Sequence, residues 1–348
     1  MNSKSSPLVS VVTPVYNNEE DLAECIESVL AQTYQNWDYT IINNCSTDRS
    51  GEIARRYAAQ DPRIKVIDNQ QFLRVIPNHN HALRQISPES TYCKVVFADD
   101  LIFQRCLERM ICVGEEHPSA GIVGAYRLEN DRVCGGVPYP SRLISGREIC
   151  RQTFFEHISV FGTANSVLYR SELVRNRNPF YNESNLHADQ EVCVALLKNF
   201  DFGFVHEVLT YTRPRATSLN KMAVDMQIEL GCHLSILVSH GPDFLREDEL
   251  NQLLGRHLAT YYNFLAVSLL WGHRDKKFWE LHRQKLNEAV GFSRGRLARA
   301  ALARLCKAVL NPYETIGKVR SRRRPAALAP NQKAQSTPPL LEKWNADH

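Results

Sequence analysis

The sequence predicts an α/β fold, a sheet flanked by helices and followed by a helical C-terminal extension. Short apolar, β-branched runs alternate with stretches of helical period over the first 126 residues, and after Pro214 the pattern changes to long helices. No GxGxxG loop follows the first strand, which disfavours a dinucleotide-binding oxidoreductase. The 348 residues are 43% apolar and 23% charged, a globular composition long enough for one large domain or two smaller ones.

Residues 8–12 (LVSVV) read as a strand that Pro14 and the pair Asn17-Asn18 break into a loop. From Glu19 onward, Leu22, Ile26, Val29 and Leu30 recur at helical spacing. Glu19, Glu20 and Asp21 fill the first turn, where the helix dipole favours them. The unit repeats as strand 38–43, loop 44–48, helix 49–60 and strand 64–67. A helix near 78–86 precedes strand 93–98, and a helix built on Leu107, Met110 and Ile111 precedes strand 121–126. Such alternation argues for a parallel sheet with helices on both faces. A more irregular stretch follows, with a loop at 134–142, helix 146–156, a segment at 161–170, helix 189–198 and strand 202–211. Helical patterns then run over about 221–239, 246–270 and 274–290. The expected organisation is a catalytic-type α/β domain at 1–215, a helical extension at 216–311 and a disordered tail at 312–348, which shows no period.

The formal charge of +4 is modest, and its excess sits in two late clusters, Arg294–Lys307 and Arg320–Arg324, so the chain does not advertise nucleic-acid binding. Ten cysteines lack CxxC or Cys/His spacing, and no leader pattern opens the chain, which together suggest a reduced, cytoplasmic protein. The longest apolar stretch, Tyr261–Trp271, falls far short of the ~20 residues that span a bilayer. Residues 294–310 alternate Arg with Leu and Ala, a pattern that suits peripheral contact with the inner face of the cytoplasmic membrane and equally suits a helix docked with its arginines in water.

Asp99 and Asp100 end the apolar run Val95-Val96-Phe97-Ala98. The carboxyl edge of a sheet is where open α/β folds bind ligands, and adjacent carboxylates there repel each other unless a cation neutralises them. A solvated loop capping the next helix explains the pair equally well on its own.

The pieces VSVVTPVYNNEEDLAECIESVLAQTYQNWDYTIINNCSTD (9–48), KVVFADD (94–100) and HADQEVCVALL (187–197), in this order, resemble the family 2 glycosyltransferases over residues 8–215. The resemblance implies an inverting enzyme of the GT-A fold, a Rossmann-like mixed sheet flanked by helices. Such an enzyme moves a sugar from a nucleotide-diphospho-sugar, a UDP-sugar first among them, to a hydroxyl of a glycan or lipid-linked acceptor in cell-surface polysaccharide synthesis.

By the same resemblance Asp100 contacts a divalent cation (Mn or Mg), Asp99 lies toward the ribose or diphosphate, and Asp189 is the catalytic base. Pro14 and Tyr16 border the nucleobase, and Asn44 hydrogen-bonds it. Asn78 and Asn80 fall near the nucleotide, Arg213 and Arg215 fall where a flexible loop covers the diphosphate, and Tyr169-Arg170 reads as scaffold. Two departures stand out: Phe97 replaces a further Asp that the family often carries, and Asn43-Asn44 replaces Asp-Asp or Asp-Asn. They leave open a second reading, a non-catalytic sugar-nucleotide or glycan-binding member of the same fold.

Overall fold

The computed structural model describes residues 6–156, 160–213, 226–272 and 274–310. The chain divides into two compact units, Met1–Glu247 and Asp248–His348.

The first unit opens with β1 (Val9–Val15), every residue of which is buried, followed by α1 (Leu22–Leu30). The repeats β2 (Trp37–Asn43), α2 (Ser50–Ala58), β3 (Ile64–Asp68), α3 (Val75–Leu83) and β4 (Tyr92–Val95) follow the predicted alternation. Leu22, Cys25, Ile26 and Val29 recur at helical spacing on α1 and join the β1 and β2 side chains in the main core. The third helix begins at Val75 rather than 78, because Pro77 is tolerated in a first turn, where amide hydrogens have no intrahelical partner.

Strand β4 ends at Val95, short of the predicted 98. The Val96 amide still reaches the Val12 carbonyl (3.0 Å), and the chain then turns, with the Asp100 amide donating to the Phe97 carbonyl at 3.0 Å. The short β5 (Leu101–Ile102) and α4 (Cys106–Glu116) come next, then β6 (Ala120–Glu129), β7 (Arg132–Cys134), β8 (Leu143–Ile144) and α5 (Gly146–Glu156). A 3-10 turn at Ala164–Ser166 leads into β9 (Val167–Arg170), α6 (Ser171–Arg175), α7 (Ala188–Leu196), β10 (Asp201–Thr212) and α8 (Ile228–Phe244).

The strand order is β3-β2-β1-β4-β9-β6-β10-β5, with β7 added to β6 and β8 to β10. The sheet is mixed rather than parallel throughout. β3, β2, β1 and β4 are parallel, as are β6 and β10, but β9 lies antiparallel between β4 and β6. Its short run in segment 161–170 has no helical crossover to announce its direction. Helix α8 packs on α5 and α7, which places it in the first unit, although the sequence pattern assigned it to an extension beginning at 216. Residues 221–225 of that predicted helix, Arg215 and the expected disordered tail 312–348 lie outside the described residues.

The second unit contains α9 (Glu247–Trp271, starting at the boundary), α10 (Lys276–Ala289) and α11 (Arg294–Leu310). The Asp275 side chain caps α10 by accepting from the Phe278 amide at 2.9 Å. Among the described residues no helix is long and apolar enough to cross a membrane.

Lys94 on β4 is fully buried, and its ammonium donates to the carbonyls of Asn165 (2.5 Å) and Val167 (3.1 Å), pinning the 3-10 turn to the strand. Lys94→Met keeps most of the stem but strands both carbonyls. Urea unfolding should show a loss of about 1–3 kcal/mol, whereas Lys65→Met on the exposed side of β3 should stay within about 0.5 kcal/mol of the parent.

Candidate active site

A cleft of about 520 Å³ opens in the first unit, and its walls include Pro14, Tyr16, Asn44, Asp99, Asp100 and Asp189, the six site residues that the sequence singled out. They come from four separate stretches of chain.

The first two loops are stitched to each other. The Asn17 side chain accepts from the Thr47 amide (2.7 Å), the Asn18 amide donates to Ser50 Oγ (2.8 Å), and the Glu19 amide donates to Asp48 Oδ2 (2.9 Å). These bonds explain the polar residues of YNNEE and NCSTD in structural terms: each loop satisfies the backbone of the other. Pro14 and Tyr16 then face the cleft, and Tyr16, 49% exposed, meets the 54% exposed Phe72 edge-to-face at 4.8 Å. Two exposed aromatics at one mouth offer a stacking surface to a flat ligand.

Asn44 is buried and already engaged. Its Oδ1 accepts from the Leu73 amide (2.9 Å) and Asn69 Nδ2 (2.8 Å), while its Nδ2 donates to the Leu73 carbonyl (2.8 Å). Both acceptor lone pairs are used, so one N–H is what remains for a ligand. Asn43 bonds Asp68 and the Ser46 amide, which makes it a turn residue. Asn78 lines the cleft and accepts from Asn69 (3.0 Å), extending the same network. Asn80 instead clamps the Tyr181 backbone in both directions (2.7 and 2.9 Å).

Asp99 and Asp100 occupy the turn after β4. Asp100 is 2% exposed; its Oδ1 accepts from the Arg213 amide (3.0 Å), and Thr212 Oγ1 approaches its Oδ2 at 3.4 Å. Burial, then the neighbouring Asp99 charge, push its pKa up to about 7, and burial also raises that of Asp99. The Arg213 guanidinium does not hang free over the cleft: it bonds the Asp99 carbonyl (3.1 Å) and pairs with Asp21 (3.2 Å) and Glu24 (2.6 Å) of the α1 region.

The donor set at the turn suits a hard divalent cation. Carboxylate oxygens are the preferred ligands of Mg²⁺ or Mn²⁺, one or two of them suffice when phosphates and water complete the shell, and a cation would reverse the repulsion that raises Asp100. Among the described residues no cluster of three or more His, Cys, Asp or Glu side chains could form an all-protein cage.

Asp189 stands in the first turn of α7, where its Oδ1 accepts from the Gln190 amide at 2.9 Å. Burial raises its pKa, with His187 and then Arg127 pulling it down. Glu191, by contrast, is held by Asn182 and Asn185 and is structural. Arg170 is scaffold too, donating to the Ala120 and Gly114 carbonyls (both 2.8 Å).

Sequence reading missed several members of the site. Phe72 and Leu73 are apolar residues in the otherwise polar loop QQFLR, a signal that was available. His79 stacks on Phe97 (5.1 Å, 22° between planes), so an aromatic pair fills the position where a third carboxylate was expected; burial holds this imidazole at about 4, neutral near pH 7. Arg127 on β6 lowers the pKa of both Asp100 and Asp189 and has a buried Nε without a partner among the described residues. Nothing local in the sequence marks it, because its effect on the two carboxylates depends on where the mixed sheet places β6.

Residues 10–174 match the model of glycosyl transferase family 2. EpsE of Bacillus subtilis strain 168, whose name carries a provisional glycosyltransferase assignment, is 35% identical over 175 residues, 48% of this chain and 62% of EpsE. Glycosyltransferase GlyG of Streptococcus pneumoniae serotype 4 is 32% identical over 121 residues, 35% of this chain and 40% of GlyG. The chain thus spans less than two thirds of the length of these relatives.

Among solved structures, S. aureus TarS 1-349 in complex with UDP-GlcNAc shares the fold, with a TM-score of 0.59 and 18% identity over 80% of each chain. The mannosyltransferase PcManGT of Pyrobaculum calidifontis, in complex with GDP-Man and Mn²⁺, aligns at a TM-score of 0.51 and 15% identity over 91% of this chain and 85% of its own. Residues 10–174 are thus similar to the family 2 glycosyltransferases, and the mixed sheet has the GT-A fold of these solved structures.

Proposed function

We propose that the protein is an inverting glycosyltransferase that uses a nucleotide-diphospho-sugar, with UDP-sugars the first donors to test, and extends a glycan or lipid-linked acceptor in surface polysaccharide synthesis. The observation that carries this reading is the convergence of Asp99, Asp100 and Asp189 on one cleft whose mouth holds the Tyr16–Phe72 pair. WcaA of Escherichia coli K12, provisionally named for colanic acid biosynthesis, is 31% identical over 138 residues and supports the polysaccharide context.

In this reading the base stacks against Tyr16 and Phe72, and the remaining N–H of Asn44 together with the 69–73 backbone meets its polar edge. Asp100, with Asp99 beside it, would hold a divalent cation, which when bound neutralises the charge that develops on the departing diphosphate. Asp189 takes the proton of the acceptor hydroxyl as it attacks the anomeric carbon from the face opposite the leaving group. A raised pKa makes it a stronger base, and His187 and the Gln190 amide favour its charged form.

Incubation with UDP- and GDP-sugars, manganese and acceptor extracts should release the matching nucleoside diphosphate. Binding of donors with no release for any of them would favour the non-catalytic reading that Phe97 and Asn43-Asn44 keep open.

Three variants separate the roles. Asp189→Asn should lower turnover by about 10²- to 10⁴-fold while donor affinity, read by calorimetry, stays near the parent value. Asp100→Asn should abolish the extra thermal stabilisation that manganese adds to a sugar nucleotide; for the parent, ligand at about 100 times its Kd adds about 2.7 kcal/mol. Phe72→Ala should weaken UDP binding about tenfold, as loss of one stacking face costs about 1–3 kcal/mol, with little change in the melting temperature because the ring is exposed.

A further inference from the structure

The second unit holds a groove of about 690 Å³ between α9 and α11. Arg296, Arg299, Arg304 and Lys307 line it, faced by Tyr262 and Asn263, and no carboxylate takes part. Arg304 donates to Asn263 Oδ1, and the Tyr262 hydroxyl accepts from the Ser293 amide (2.7 Å) just ahead of α11, so the helix start and one arginine are fixed against α9. Among the described residues these four cations have no counter-charge in the concavity, and such a set selects phosphate groups.

A second observation separates a lipid from a soluble anion. Helix α11 buries none of its 17 residues. Ala298, Leu302, Leu305 and Val309 recur three and four residues apart, a single stripe on a helix, and the three large ones are 62%, 45% and 78% exposed. Arg296, Arg299 and Lys307 form a second stripe, well round the helix from the first. A dissolved polyphosphate would use the basic stripe and leave the apolar one in water. A phospholipid surface satisfies both, with phosphates in the groove and aliphatic side chains at the headgroup–acyl boundary.

We propose that α11 is a membrane-binding site whose groove takes the phosphates of anionic phospholipids. It does not depend on the catalytic reading, because its readout is partitioning and not transfer.

The full-length protein is sedimented with phosphatidylcholine vesicles that contain or lack phosphatidylglycerol. Binding to the anionic vesicles alone, with release at high salt, is expected. The triple variant Arg296→Gln, Arg299→Gln, Lys307→Gln should lower partitioning by about a hundredfold, about fivefold for each charge. The variant Leu302→Ser, Leu305→Ser, Val309→Ser should also lower it while leaving binding of inorganic pyrophosphate unchanged. All six residues are exposed or half-exposed on an outer helix, and a thermal melt confirms that each variant folds. The proposal fails if anionic vesicles do not bind the protein, if neutral vesicles bind it equally, or if the arginine variant partitions like the parent. Parent-like partitioning of the serine variant, with pyrophosphate displacing the protein from vesicles, would show a soluble-polyanion site instead. Tighter binding of RNA than of anionic vesicles, abolished by the arginine variant, would also overturn the proposal.

Discussion

A buried carboxylate and its half-buried neighbour in the turn after a strand cannot both stay charged without help, and much of the first unit supplies that help. The Arg213 amide and the Thr212 hydroxyl approach Asp100, and the Arg213 guanidinium bonds the Asp99 carbonyl while its charge pairs with Asp21 and Glu24. Arg127 adds a positive charge felt by Asp100 and Asp189 alike. Burial, and after it the Asp99 charge, still shift Asp100 upward, and that shift is the part left for a ligand to relieve. A site that is electrostatically incomplete by itself binds most strongly whatever brings the missing positive charge.

The sheet makes this convergence possible. Strand β9, inserted antiparallel between β4 and β6, joins the opening parallel half to the β6–β10 pair, and β10 then runs past β5 to deliver Thr212 and Arg213 at the carboxylate turn. A continuous parallel winding would have needed a helical crossover at this point. Here the closure comes from short strands whose individual signals are weak.

Most of the opening half was legible in the sequence because its elements obey one period at a time: alternating apolar runs for β1 to β4, and helical spacing for α1 and α2. The carboxylates and their order along the chain were legible through the family resemblance. The partners of those carboxylates were not. Arg127 and Thr212 belong to strands whose placement depends on the register of the mixed sheet, and His79 is placed by its stacking on Phe97 and its edge contact with Tyr181. Asn44 shows a different kind of shortfall. Its amide was read as open to a base, whereas two donors already saturate its oxygen, a fact set by the loop 69–73 some twenty-five residues further on.

That saturation ties together two parts of the chain that are far apart in sequence. Leu73 presents both an N–H and a carbonyl to the Asn44 side chain, and an amide answers both, whereas a carboxylate could answer only the first. The residue at 44 and the conformation of the 69–73 loop are therefore physically coupled. Phe72 rides on that loop. A lineage that changes the side chain at 44 must reshape the loop with it, and so alters the aromatic wall of the cleft without any substitution at the aromatic itself.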